Sequence, residues 1–269
     1  MASDLALFLQ HLVNQPAVLV TVAQGQGSVP REDGAWMAVS HDQVWGTVGG
    51  GHLEWQAMAQ ARERLGRVGV PWSLDMALGP SLGQCCGGRV RLLFEPLAAG
   101  QTQGVAERLR PSTTPVALFG GGHVGRAIVS ALAPLPFGVR WIDSRDEIFP
   151  DQVPLDVVCE HSDPVHAAVA DVAAGSRVLI MSFSHAEDLD VVQACLLRQR
   201  ARGDLPFVGL IGSQTKWATF RSRLRQRGFA DAELAHITCP IGVPGIAGKQ
   251  PAVIAAAVAA QLLMLDASP

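Results

Sequence analysis

The stretch that most constrains the fold runs from Pro115 to Asp143. Pro115 to Phe119 is a short apolar run, and Gly120-Gly121-Gly122-His123-Val124-Gly125 follows it directly. A helical pattern then extends to about Ala133, and a second apolar run, Val139 to Ile142, ends on Asp143, eighteen residues after Gly125. Strand, G-x-G-x-x-G, helix, strand and acidic residue, in that order, are the dinucleotide fingerprint of a parallel α/β sheet. Gly120 permits the turn, Gly122 lets a pyrophosphate approach, and Gly125 allows the helix to pack closely on the strand. Asp143 is placed to accept from a ribose 2′-hydroxyl, which favours an NAD-like ligand over a 2′-phosphate.

Further strand and helix patterns continue the same theme. Asp156 to Cys159, Val178 to Ser182 and Phe207 to Ile211 read as strands, so residues 114–269 are expected to form a Rossmann-like domain. Ligands of such sheets sit beyond the carboxyl ends of the strands. Asp143-Ser144-Arg145, Ser182 to Asp188 and Gly212 to Lys216 lie there. Ser213 and Lys216 open a basic helix where a phosphate can be held. His123 and His185 occupy the same edge, with a plain loop role as the alternative. Cys159, Cys195 and Cys239 read as core or near-core residues. The segment from Ile241 to Gly248 is rich in glycine and proline, and an alanine-rich helix follows Pro251. Its apolar run, Ala252 to Leu265, is shorter than the ~20 residues that span a bilayer.

Residues 1–110 have a different grammar. Asp4 to Val13 predicts a helix ended by Asn14 and Pro16. Ala17 to Ala23, Trp36 to Ser40, Gln43 to Val48, Trp72 to Met76 and Arg89 to Glu95 read as strands, with a turn at Gly25 to Pro30. This is an α+β pattern, and Pro96 to Thr114 reads as a helical linker. Gly49-Gly50-Gly51 joins a strand to a helix that starts at His52. That arrangement aims free backbone N–H groups at an anion, or is simply a tight turn. Glu54 falls in the first turn, where a carboxylate is favoured. Gln84-Cys85-Cys86-Gly87-Gly88 places two adjacent thiols among glycines, suited to a nucleophile, a sulfur carrier or a soft-metal ligand. Two small buried hydrophobes are the plainer alternative.

Composition sets the outer limits. Only 17% of the 269 residues are charged and nearly half are apolar, so the chain is globular. A net charge of -3 argues against nucleic-acid binding. Five cysteines without framework spacing suggest a reducing compartment, and no signal peptide is visible; a cytoplasmic protein is expected, with no membrane partner. A homodimer follows from what is usual for soluble proteins.

In order and spacing, these segments resemble the XdhC/CoxI family, accessory proteins of xanthine dehydrogenase and related molybdenum hydroxylases. The resemblance rests on Gly27-Ser28-Val29-Pro30-Arg31, Gly34-Ala35-Trp36-Met37, Gly46 to Glu54 and Gln84 to Gly88 in the first half. In the second it rests on Phe119 to Gly125, Asp143-Ser144-Arg145, Gly209 to Ser213 with Lys216, and Pro240-Ile241-Gly242. It implies a chaperone for the molybdenum cofactor (molybdenum on the dithiolene of a phosphorylated pterin) rather than an enzyme with independent turnover. It also implies help in cofactor sulfuration with a cysteine desulfurase, and delivery to the dehydrogenase. On that resemblance Cys86 is the first choice for catalysis or for holding molybdenum, and Cys85 the second. The triple-glycine helix start of Gly49, Gly50 and Gly51 would hold the pterin phosphate by the physics of anion binding, and Gly87 and Gly88 beside the thiols are also expected to bind the cofactor. Gly120, Gly122 and Gly125, with Asp143, Ser213 and Lys216, would hold a nucleotide such as NAD or part of the cofactor. Relatives often carry Thr-His-x-His where this chain has Ser182-Phe183-Ser184-His185, so Phe183 replaces one histidine and His185 ranks low. The rival reading is an NAD-dependent oxidoreductase built on Gly120 to Asp143. A carrier whose thiols hold molybdenum without transferring sulfur is a third.

Overall fold

The structure is a computed structural model that describes residues 4–66, 69–78, 87–110, 112–154 and 156–266. The chain divides into two compact units, Met1–Pro111 and Ser112–Pro269. Both are mixed α/β, the first around an antiparallel sheet and the second around a parallel one.

In the first unit, β1 (Ala17–Gln26), β2 (Trp36–Val39), β3 (Val44–Gly46), β4 (Trp72–Ala77) and β5 (Arg89–Leu97) form a sheet in the order β3-β2-β1-β5-β4. Every pairing in it is antiparallel. Alternate side chains of a strand face opposite sides, and β1 uses both. Val18, Val20 and Val22 join Leu53, Ala57 and Ala61 of α2 (Gly51–Glu63) on one face. Ala17 and Leu19 join Phe8 and Leu12 of α1 (Asp4–Leu12) and Val105 of α3 (Gln103–Leu109) on the other. Burial on both faces explains why β1 reads as a continuous apolar run rather than an alternating one. Two expectations change here. Gly25 belongs to β1 and not to a turn, because residues 24–26 pair with Arg91, Val90 and Arg89 after a register shift at Val22. The expected helical linker from Pro96 is helical only over Gln103–Leu109, and its first two residues complete β5.

In the second unit, β6 (Thr114–Phe119), β7 (Phe137–Asp143), β8 (Val157–His161), β9 (Arg177–Ile180), β10 (Phe207–Leu210) and β11 (Ile237–Thr238) lie parallel in the order β11-β10-β9-β6-β7-β8. The order reverses between β6 and β9, the switch point of a doubly wound sheet. Helices α4 (His123–Leu132) and α8 (Pro251–Asp266) cover one face. The other is covered by α5 (His185–Arg202), α6 (Gln214–Gln226) and the short α7 (Asp231–Leu234). The two-residue β11 was not anticipated from sequence; two residues carry no period to read. No helix among the described residues is long and apolar enough to cross a membrane.

The glycine loop of this unit is held on three sides. Gly120 N–H donates to the Ile142 carbonyl at 2.8 Å, and the Trp141 indole N–H donates to the Gly120 carbonyl at 2.9 Å. Gly120 has φ +127°, and a side chain there would run into the Met181 carbonyl. A side chain on Gly125 would run into the Gly120 carbonyl that Trp141 fixes. Gly125→Ala should therefore destabilise the second unit by about 1–3 kcal/mol, as overpacking does when the neighbour cannot yield. Urea unfolding followed by tryptophan fluorescence measures this, and a shift below about 0.5 kcal/mol would mean that α4 lifts away freely.

Candidate functional site

Three motifs of the first unit meet around the loop after β1. A side chain on Gly49, at φ +129°, would collide with the Pro30 ring, and one on Gly88 would collide with the Ser28 and Gln26 carbonyls. The Gly88 carbonyl also accepts from the Leu78 N–H at 2.8 Å. Thus Gly27 to Arg31 touches the triple-glycine turn through Pro30 and the end of the Cys-Cys-Gly-Gly run through Ser28. Gly50 and Gly87 behave differently: beyond its chain neighbours, a Cβ at either would meet no described residue within 4 Å. They are the open glycines of the cluster. Cys85 and Cys86 lie outside the described residues.

The triple-glycine turn is not an empty anion cradle. One carboxylate oxygen of Glu54 accepts from the Thr47 hydroxyl at 2.5 Å, the Gly50 N–H at 3.0 Å and the Val48 N–H at 3.3 Å. Gly49 N–H donates to the Thr47 hydroxyl at 3.1 Å. Two of the three N–H groups expected to meet a phosphate are thus engaged within the chain, leaving Gly51 and the start of α2. Beside them the His52 ring stacks on Trp55 with centroids 5.5 Å apart, and Trp55 is 62% exposed. The sequence motifs alone do not single out this aromatic pair. Its signal, an aromatic three residues after a histidine on one helix face, was available.

The carboxyl edge of the second unit is dominated by one buried carboxylate. Asp143 Oδ2 accepts from Gly121 N–H at 2.5 Å and Arg145 Nη2 at 2.9 Å. Its Oδ1 accepts from the Arg145 N–H and Nε, each at 2.9 Å. A carboxylate offers about four acceptor sites, and all are filled. Burial works to raise the Asp143 pKa, but the Arg145 guanidinium and the two backbone N–H groups prevail and hold it below the usual range. Gly121 is further covered by Ile148, whose carbonyl accepts from Arg126 at 2.6 Å. The expected ribose contact therefore does not fit: Asp143 has no lone pair left for a 2′-hydroxyl. Gly122 keeps the open face expected of it, since a Cβ there meets nothing within 4 Å. An NAD-dependent oxidoreductase of the ordinary fingerprint type gains no support from this geometry.

Lys216 is likewise engaged. Its ammonium donates to Asp188 at 2.6 Å and to the Ile211 carbonyl at 2.8 Å, while Asp188 accepts from Ser182 N–H at 2.7 Å. The side chains of both charged partners are largely buried, at 12% and 3% exposed. The pair ties the loop after β9 to the loop after β10. Ser213 caps α6 by accepting from Lys216 N–H at 3.2 Å. Phe183 lies 66% exposed with the Arg145 guanidinium 4.4 Å from its ring centre. His185 is set against Phe220 and His123 is exposed. Burial raises all three described thiols, Cys195 to about 12, so none is primed as a thiolate.

Two measurements test this edge. Asp143→Ala strands the Gly121 and Arg145 N–H groups and should cost about 2–4 kcal/mol in urea unfolding. Because the folded Asp143 pKa is depressed, its contribution is present above the unfolded Asp value and lost as pH falls through the folded one. Stability of the native chain should accordingly decline below about pH 4 more steeply than that of Asp143→Ala. Parallel pH slopes would remove the assignment. Asp188→Ala leaves a buried ammonium and should cost about 3–5 kcal/mol, with Lys216→Met in the same background recovering part of it.

Comparison with known proteins agrees with this architecture. The XdhC Rossmann domain model matches residues 116–262, and the XdhC and CoxI family model matches residues 12–69. The uncharacterized protein YqeB of Escherichia coli K12 is 26% identical over 264 residues, covering 94% of this chain. This chain spans only 44% of that relative's length. A crystal structure described as a xanthine dehydrogenase from Bacillus halodurans superposes with a TM-score of 0.77 at 20% identity, covering 99% of this chain and 98% of that one. At that identity the likeness speaks for the fold alone. With family models matched in order on both units, the chain belongs to the XdhC and CoxI family.

Proposed function

We propose that this protein is an accessory factor in the maturation of xanthine dehydrogenase or a related molybdenum hydroxylase. It carries the molybdenum cofactor as cargo, assists its sulfuration together with a cysteine desulfurase, and hands it to the client enzyme. The observation that supports this reading is the family match on both units, in chain order. Operation as a cytoplasmic homodimer belongs to the same proposal.

The first unit offers the better cargo surface. Gly50 and Gly87 present bare backbone, with the exposed His52–Trp55 pair next to Gly50 in sequence. A planar pterin suits an exposed aromatic face, and its phosphate suits the remaining N–H groups at the start of α2. Cys85 and Cys86 directly precede Gly87 in the chain, so the proposed thiol chemistry, with Cys86 as the first choice, belongs beside that bare backbone. In the second unit, Gly122 with the N–H groups of the first turn of α4 is the surface left for a nucleotide or a second part of the cargo. Asp143 and Lys216 act there by holding loops, not by touching a ligand.

Bound pterin and molybdenum, measured after mixing with isolated cofactor, test the proposal. The native chain should retain both in equal amounts, and Cys86→Ala should weaken retention by roughly tenfold or more, the effect of losing one strong ligand. Gly87→Ala adds a methyl that meets no described residue beyond its chain neighbours within 4 Å, so a loss of binding without loss of stability reports close approach of the cargo. Gly122→Ala does the same for the second unit. No retention by the native chain, where an established carrier retains cofactor, would overturn the proposal.

A further inference from the structure

Pro240-Ile241-Gly242 carries part of the family resemblance but has no role in the site described above. In the structure it walls a cavity of about 580 Å³ at the carboxyl ends of β10 and β11. That volume lies within the range of small-ligand sites, roughly 300–1,000 Å³. Ile211, Ile241 and Ile254 give the cavity apolar surface, and Gln214 at the start of α6 contributes an exposed polar side chain. Among the lining side chains Lys249 carries the one formal charge, and no acidic residue is present. Lys249 makes no ion pair or hydrogen bond with any described residue. The chain has only two lysines among its 21 basic residues. The other, Lys216, packs behind the cavity residue Gly212 and is neutralised by Asp188. The sign of the cavity is therefore set by Lys249.

The outer wall is a loosely bonded strap. Gly242 N–H donates to the Gln261 side chain at 2.7 Å and Val243 N–H to the Ala257 carbonyl at 3.2 Å, which anchors one end on α8. Residues 244–249 are exposed, and the one backbone bond they make to a described residue is long, from Ile246 N–H back to the Val243 carbonyl at 3.4 Å. Ile246 lines the cavity yet is 48% exposed. A segment with few internal bonds and an exposed apolar side chain can settle on a ligand at small cost.

We propose that this cavity is a separate ligand site for a nucleotide-sized organic anion with a flat apolar body. The body would lie on Ile211, Ile241 and Ile254, the anionic group would meet Lys249, and the strap would bring Ile246 down over it. The proposal is independent of cofactor carriage. Anilinonaphthalene sulfonate fluorescence and calorimetric titration of the full chain with AMP test it, with inorganic phosphate as a control. At least one organic anion should bind saturably at one per chain, and phosphate alone should not compete. Lys249→Ala should weaken binding roughly tenfold, as loss of a charged hydrogen bond does, and Lys249→Arg should restore most of it. Gln214→Trp, an exposed change at the mouth, should block entry while the unfolding temperature stays unchanged. Binding of AMP assigns the site to nucleotides, and binding of the sulfonate alone assigns it to other aromatic anions. Absence of saturable binding, indifference to both substitutions, or equal affinity for bare phosphate would each overturn the proposal.

Discussion

The buried, fully hydrogen-bonded carboxylate of Asp143 organises the carboxyl edge of the second unit. It fixes the Gly121 amide, turns Arg145 back on its own strand, and through Arg145 sets the Phe183 ring at the end of β9. β6, β7 and β9 are thus joined at their carboxyl ends by one buried charge and its partners. A buried charge is tolerable only with such complete satisfaction. The same logic recurs at Asp188 and Lys216, one pair of strands farther along the sheet.

Much of the fold was legible because its signals are local. The fingerprint glycines fall where turn, open face and close packing require them, and the apolar runs of the second unit became parallel strands. Two features of the first unit were misread for physical reasons. Gly25 resembles a turn residue, but its pairing with Val90 depends on a partner sixty-five positions away. Pro96 reads as the start of a helical linker, yet it sits near the end of β5 opposite Val18. Long-range pairing overrides local propensity at both places.

The candidate site was legible in position but not in use. Asp143, Lys216 and the triple glycine all lie where a strand hands over to a helix, as their motifs require. What a sequence cannot display is whether a charge already has an internal partner. Arg145 stands two residues from Asp143 and would have been a fair guess. Asp188 stands twenty-eight residues from Lys216, and only the parallel sheet brings them together. Residue type announced polarity, and the fold decided whether that polarity faces inward or outward.

Glu54 gives the first unit a property of a different kind. Its carboxylate already occupies part of the helix start that an anionic guest would seek. A guest phosphate settling at Gly51 and His52 must share that helix end with a resident negative charge, so its hold there is weakened from the outset. For a storage protein this would be a defect. Under the proposed carrier role, a resident carboxylate at the same helix end would favour release of the cargo over storage.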